Sequence, residues 1–153
     1  MLRAMKTLLT AIDFSPITQR VLDEASKLAL ETGSRLVILH VVEPAAAYVP
    51  VGAAMDVITA PMPVDSPDLN VVKERLEQLA ASIRAKGVTV ETIVTVSLPV
   101  DAIIDQAKAT GAGMLILGSH GHGAVFQLFS GSVVTSVLHK AEIPVIVIPV
   151  HGK

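Results

Sequence analysis

Five short apolar runs alternate with four segments of helical periodicity, and this alternation is the feature that most restricts the fold. The apolar runs span residues 7–12, 35–42, 88–96, 114–117 and 143–150. Runs with apolar residues on both faces are typical of strands covered on both sides of a sheet. Strands separated by helices form parallel βαβ units with right-handed crossovers. The sequence therefore predicts a three-layer α/β fold, an open parallel five-stranded sheet with helices on both faces.

The helices between these strands have recognisable ends. Ser15-Pro16 and Ser66-Pro67 each place a capping residue before a proline, which predicts the start of the first two helices. Pro99 is expected to open the third helix, and residues 133–140 form the fourth. Gly33 is expected to end the first helix in the left-handed conformation.

Length and composition narrow the class of protein. A chain of 153 residues predicts a single domain over residues 1–153. A formal net charge of -2 gives no basic excess, so we expect no nucleic-acid partner. The chain has no cysteine, which excludes disulfides and thiolate metal sites. No apolar stretch reaches the length of a membrane span, so we expect a cytoplasmic protein without membrane contact.

A long connection at residues 43–65 does not fit the regular alternation. Five of the nine prolines lie between positions 44 and 67, and the segment has no Lys, Arg or His. Loops of this length and apolar content often serve as lids or contact surfaces. Two interpretations stay open: the segment responds to a ligand or docks a protein partner, or it folds over its own sheet edge.

A glycine-rich stretch joins the fourth apolar run to the last helix. Six of the ten glycines fall between positions 111 and 131. Glycines let a backbone approach an anion closely, and the start of a helix offers free N–H donors. No Lys or Arg occurs between Lys108 and Lys140. A phosphate here would be held by backbone amides and hydroxyls, with or without a metal ion; the alternative is a plain flexible loop.

Several sharper motifs are absent. Gly131-Ser132 lacks the lysine of a P-loop, and no G-x-G-x-x-G follows the first strand. His120 and His122 are two residues apart and are expected to act as loop donors instead of zinc ligands. We therefore predict no protein metal site and assign no catalytic residue.

The spacing of this stretch resembles that of the universal stress protein family. Its ATP-binding members have G-x-x-G, nine residues, then Gly-Ser or Gly-Thr, and Gly118, Gly121 and Gly131-Ser132 match every fixed position. Residues 11–15 and 143–147 also look like this family, so the resemblance covers the whole chain. It implies a nucleotide-binding fold of the adenine nucleotide α-hydrolase-like type.

The resemblance also implies a site for ATP or AMP as ligand, with Mg as a candidate companion ion. In parallel sheets of this kind, ligands bind outside the carboxyl ends of the strands. Asp13 would accept hydrogen bonds from the ribose or the base, and Ala11, Ile12 and Val41 would wall the adenine. The residues that would hold the ribose and phosphates are Gly118, Ser119, His120, Gly121, His122, Gly131, Ser132 and Val133.

The expected function is that of a stress-response regulatory protein that binds an adenine nucleotide. Its expected mechanism is ligand-dependent ordering of loops, and the resemblance implies a homodimer through the last strand, residues 143–150. One alternative is a slow ATPase or AMP-forming enzyme, for which Asp13 is the only plausible catalytic carboxylate. The other is a dimeric scaffold that binds no nucleotide.

Overall fold

The computed structural model describes residues 6–44, 66–119 and 133–149. In these ranges five strands alternate with four helices, as the sequence predicts. The strands are β1 (Thr7–Ile12), β2 (Arg35–Val42), β3 (Val90–Val96), β4 (Ala112–Gly118) and β5 (Val145–Ile148). The helices are α1 (Thr18–Thr32), α2 (Leu69–Arg84), α3 (Pro99–Ala109) and α4 (Val133–Lys140).

The five strands form one parallel sheet in the order β3-β2-β1-β4-β5. The chain starts in the central strand, extends through β2 to β3, and then crosses to the other side of β1 to form β4 and β5. The buried hydroxyl of Thr10 donates to the carbonyl oxygen of Ile116 at 2.9 Å and joins β1 to β4 by a side-chain bond as well. The predicted three-layer α/β fold is confirmed, and the direction of the strand order reverses between β1 and β4.

Two hydrophobic cores cover the two faces of the sheet. Leu36 and Ile38 of β2 pack into the core under α1 and α2, whereas Val37 and Leu39 pack into the core under α3 and α4. All four side chains are fully buried. This two-sided burial explains why the middle of the strand is apolar on both faces.

The first helix starts later than the sequence predicts. Ser15 does not cap α1 with its side chain; the helix begins at Thr18 after a turn in which the Thr18 N–H donates to the Ser15 carbonyl at 3.0 Å. The Asp13 carboxylate accepts the Ser15 N–H at 3.0 Å. This bond stabilises the turn that precedes the helix. At the other end, Gly33 has φ 64° and adopts the left-handed conformation at the C-cap, as predicted.

The second helix and three strands also differ from prediction at their ends. Asp68 caps α2 by accepting the Asn70 N–H at 2.8 Å, two residues beyond the predicted Ser66. β3 begins at Val90 instead of position 88, β4 spans Ala112–Gly118 instead of 114–117, and β5 is limited to Val145–Ile148. Pro144 and Pro149 flank β5 and have no N–H to donate, and the Pro144 carbonyl still accepts the Leu115 N–H at 2.9 Å.

Residues 45–65, most of the Pro-rich connection, lie outside the described residues, and the single domain over 1–153 stays a prediction. No helix in the described part of the chain is long and apolar enough to cross a membrane.

Candidate functional site

A cleft of about 170 Å³ opens where the strand order reverses, at the carboxyl ends of β1 and β4. This is the position at which open parallel sheets bind ligands. The described residues that line the cleft are Ala11, Ile12, Asp13, Ile17, Thr18, Val21, Val41, Glu43, Pro99, Ile103, Leu117, Gly118, Val133 and Val134.

Three helices begin at the cleft. Thr18, Pro99 and Val133 are the first residues of α1, α3 and α4, and each of them lines it. The start of a helix has backbone N–H groups without a partner in the helix and a positive partial charge. The cleft therefore has a favourable position for an anion, most directly at α4, which follows the glycine-rich stretch.

Asp13 lies at the mouth of the cleft, directly after β1, and is exposed. Its Oδ1 accepts the Ser15 N–H, which fixes the carboxylate against the turn. Phe14, between them, has φ 58°, a left-handed conformation that is uncommon for a bulky residue. The turn that carries Asp13 is thus built from a specific and strained backbone.

Gly118 ends β4 and contacts α1. A Cβ atom at this position would lie 2.9 Å from Val21 Cγ2 and 3.3 Å from Ile17 Cγ2. Real Cβ atoms do not approach so closely, so only glycine lets the end of β4 pack against this helix. The glycine that the family resemblance assigns to a ribose or phosphate contact therefore also has a packing role.

The adenine walls proposed from the sequence fall on both faces of the sheet. Ala11 and Val41 pack with the core under α3 and α4, whereas Ile12 belongs to the core under α1 and α2. All three line the cleft, which therefore lies at the junction of the two cores.

The charged side chains among the described residues of the cleft are carboxylates. Asp13 and Glu43 are the two charged groups among its described lining residues, and no described lining residue is basic. Within the described ranges no group of three His, Cys, Asp or Glu side chains could hold a metal ion. The cleft can thus offer carboxylate acceptors at one end, helix-start donors at the other and apolar walls between them.

The structure brings six of the predicted site residues together. Ala11, Ile12, Asp13, Val41, Gly118 and Val133 all line the cleft. Ser119 is placed differently, because its N–H donates to the Ile148 carbonyl at 2.8 Å and extends the pairing of β4 with β5. The remaining predicted residues, His120, Gly121, His122, Gly131 and Ser132, lie outside the described residues.

Sequence reasoning missed much of the wall of the cleft. Ile17, Thr18 and Val21 contribute one side, and Pro99 and Ile103 contribute the other. In the sequence Ile17, Val21 and Ile103 share the helical spacing of core positions, which gives no signal for a ligand site. Pro99 offered the one usable signal, since it marks a helix start beside a strand end.

Comparisons with known proteins agree on one family. The sequence profile of the universal stress protein family matches residues 5–149. Universal stress protein A homolog 2 of Coxiella burnetii is 31% identical over 148 residues, which cover 96% of this chain and 97% of that protein. Universal stress protein YxiE of Bacillus subtilis is 30% identical over 145 residues, which cover 92% and 97%.

Solved structures share the fold. A universal stress protein crystallised in complex with cAMP has a TM-score of 0.70 at 20% identity and covers 96% of this chain and 98% of its own. The universal stress protein from Archaeoglobus fulgidus in complex with dAMP has a TM-score of 0.61 at 25% identity and covers 94% and 97%. The profile match and the curated relatives extend over nearly the whole chain, and it therefore belongs to the universal stress protein family.

Proposed function

We propose that this chain is a stress-response regulatory protein that binds an adenine nucleotide, AMP or ATP, in the cleft between β1 and β4. The observation that carries the proposal is the position of the cleft, which joins the Asp13 carboxylate to the start of α4 at the reversal of strand order. The Archaeoglobus fulgidus relative in complex with dAMP supports the same class of ligand.

The chemistry of the cleft suits the two ends of a nucleotide differently. Ala11 and Val41 offer an apolar surface for a base, and Asp13 offers oxygens that accept hydrogen bonds from a sugar hydroxyl or an amino group. Phosphates are repelled by Asp13 and Glu43 and are attracted by the start of α4 at Val133. The nucleoside therefore lies at the β1 end and the phosphates lie towards α4.

The same charges bear on the length of the phosphate tail. No described lining residue is a lysine or arginine, so none of the described side chains of the cleft offsets the charge of a triphosphate. Mg²⁺ binds the oxygens of adjacent phosphates and reduces their charge. We therefore expect the affinity for ATP to depend on Mg²⁺ more strongly than the affinity for AMP does.

The regulatory part of the proposal concerns a homodimer and ligand-dependent loop ordering. β5 lies at one edge of the sheet and has four apolar residues, whereas β3 at the opposite edge exposes Glu91 and contains threonines. An apolar edge strand is the better template for pairing with a second copy. A nucleotide that orders loops near this sheet would then alter the surface that the dimer presents to a partner.

Calorimetry with AMP and with ATP, in the presence and absence of Mg²⁺, tests the proposal. We expect a dissociation constant on the order of micromolar, which corresponds to a binding free energy of about -8 kcal/mol. Asp13→Asn should weaken binding about tenfold because it removes a charged acceptor. Asp105→Asn, on the exposed side of α3, makes the same charge change away from the cleft and should have no effect.

Absence of heat and of thermal shift at millimolar nucleotide would contradict the proposal. Phosphate release measured in the same samples decides whether hydrolysis accompanies binding. Mass spectrometry of ligand retained through purification checks which nucleotide the protein takes in the cell.

A further inference from the structure

The turn after β1 is strained, and the strain lies one residue from the proposed ligand-binding carboxylate. Phe14 has φ 58°, and among the described residues it is the one non-glycine residue with positive φ. Such a conformation costs on the order of 1–3 kcal/mol and persists only where neighbouring groups hold it. The groups that hold Phe14 therefore also hold Asp13.

Two side chains from distant parts of the sequence contact the Phe14 ring. The guanidinium carbon of Arg75 in α2 lies 4.2 Å from the ring centroid, in the geometry of a cation–π interaction. The His40 ring, on β2, lies 4.4 Å away, centroid to centroid, at an interplanar angle of 45°. We refer to Phe14, His40 and Arg75 as the aromatic stack.

His40 also bonds to the backbone of the same turn. Its Nδ1 lies 2.8 Å from the carbonyl oxygen of Ile12. Since a carbonyl oxygen can only accept, the hydrogen is on Nδ1. The backbone is therefore fixed on both sides of Asp13: at Ile12 by His40 and at Ser15 by the Asp13 carboxylate itself.

None of the three stack residues lines the cleft, although Asp13, Ile12 and Thr18 around them do. The three side chains are therefore not placed to contact a ligand in the cleft. Rotation of Phe14 to a negative φ would redirect the chain between Asp13 and Ser15 and break the bond that orients the carboxylate. The stack thus acts on the backbone torsion next to Asp13, within the turn that the Asp13 carboxylate bonds to.

We infer that His40, Phe14 and Arg75 are positioning residues that hold Asp13 in ligand-binding geometry before a ligand arrives. The inference rests on the proposed function for its effect on affinity. Groups held in place in the free protein lose less conformational entropy on binding, so a loosened turn binds more weakly. Arg75, on the exposed side of α2, then affects nucleotide affinity without touching the nucleotide.

Arg75→Met tests the cation, because methionine keeps an apolar side chain of similar reach. We expect AMP affinity to fall about fivefold, within the range of a cation–π contact. Lys73→Met is the matched control, because it removes one positive charge two residues away on the same helix, whereas the cation over the Phe14 ring is that of Arg75. It should change affinity less than about twofold at the same ionic strength.

A double-mutant cycle separates positioning from simple loss of structure. If the stack acts through Asp13, Arg75→Met should cause no further loss of AMP affinity in a protein that already has Asp13→Asn. Independent, additive losses in the two variants would overturn the inference. The same holds if Arg75→Met and Lys73→Met weaken binding equally.

Two substitutions of His40 test the role of its hydrogen bond to the Ile12 carbonyl. His40→Asn keeps an N–H that can reach the Ile12 carbonyl, whereas His40→Leu removes the donor and leaves that carbonyl without it. We expect Asn to retain more of the AMP affinity than Leu. Equal affinities for the two variants would contradict a positioning role for this hydrogen bond.

Backbone ¹⁵N relaxation of the free protein tests the stack without any ligand. Order parameters at Phe14 and Ser15 should fall in Arg75→Met and stay unchanged in Lys73→Met. If the wild type binds neither AMP nor ATP, the proposed function fails, and these order parameters still decide whether the stack holds the turn. Unchanged order at both residues in Arg75→Met would overturn the inference.

Discussion

At the scale of single residues, Gly118 and Gly113 of β4 differ in the space available for a side chain. Gly118 lies where a Cβ atom would meet Val21 at 2.9 Å, and Val21 is itself 2% exposed in the core. At Gly113 the nearest atom to a Cβ would be the Thr7 carbonyl oxygen at 3.9 Å, an ordinary contact. The need for glycine at position 118 thus comes from α1 and exists before any nucleotide is considered.

Gly118→Ala should therefore destabilise the protein by about 1–3 kcal/mol, the usual cost of inserting a methyl group into a packed site. Gly113→Ala, the control in the same strand, should cause no comparable loss. Urea unfolding followed by circular dichroism measures both. If the two variants unfold at the same urea concentration, the contact between β4 and α1 is looser than the distances imply.

At the scale of elements, an ionic group fastens α2 to the edge strand β3. The Arg84 guanidinium donates to the Glu77 carboxylate at 2.8 Å and to the Val90 carbonyl at 3.0 and 3.1 Å. The Thr92 hydroxyl donates to the other oxygen of Glu77. These bonds hold the pKa of Glu77 below its ordinary value of 4.5. The bond from Arg84 has the larger effect and the bond from Thr92 the next.

A lowered pKa makes this contribution to stability dependent on pH. The charged form of Glu77 is favoured in the folded state, so the stabilisation is present above the ordinary pKa and is lost as pH falls through the folded value. The carboxylate is about half exposed, so we expect no more than about 0.5 kcal/mol.

Comparison of Glu77→Gln with Glu74→Gln tests this sign. Glu74 lies on the exposed side of the same helix. Denaturant titrations at pH 7 and pH 3 should show that Glu77→Gln is less stable than wild type at pH 7 and closer to it at pH 3. If the loss of stability in Glu77→Gln relative to wild type were larger at pH 3 than at pH 7, the stabilising role of the charged Glu77 would be contradicted.

At the scale of the whole molecule, the proposed dimer depends on which edge of the sheet is free to pair. Val145 packs in the core under α3 and α4, and Ile146 and Ile148 contact the core under α1 and α2. Val147 is partly exposed and belongs to neither core. It is therefore the β5 residue at which a charge should disturb an interface more than the fold.

Val147→Lys should convert the proposed dimer to monomer, as measured by light scattering, while the circular dichroism spectrum is retained. Thr95→Lys is the control, since it adds the same charge to the opposite edge strand β3. A Val147→Lys dimer as stable as wild type would place the interface elsewhere. Loss of the dimer in Thr95→Lys alone would place it at β3.

The sequence alone determined the order and kind of all nine described elements, because these depend on local patterns. Gly33 at the end of α1 and Pro99 at the start of α3 are read from neighbours within one helical turn. The glycine spacing likewise indicated the family, and the resemblance to that family implied six residues of the cleft. The start of α1 was mispredicted: the Ser15 Oγ accepts no N–H from the helix start, and the serine instead joins a turn in which its N–H donates to Asp13.

Which strand ends are neighbours, and which side chains fill the space between them, depends on contacts between distant parts of the chain. β1 pairs with β4 across more than a hundred positions of sequence, as the bond from Thr10 to Ile116 shows, and no local pattern specifies that pairing. The walls from α1 and α3, the contact of Gly118 with Val21, and the stack on Phe14 all follow from it or from packing across separate elements. Side chains that line a cleft obey the same helical period as side chains that fill a core, so their role depends on which element lies opposite them in space.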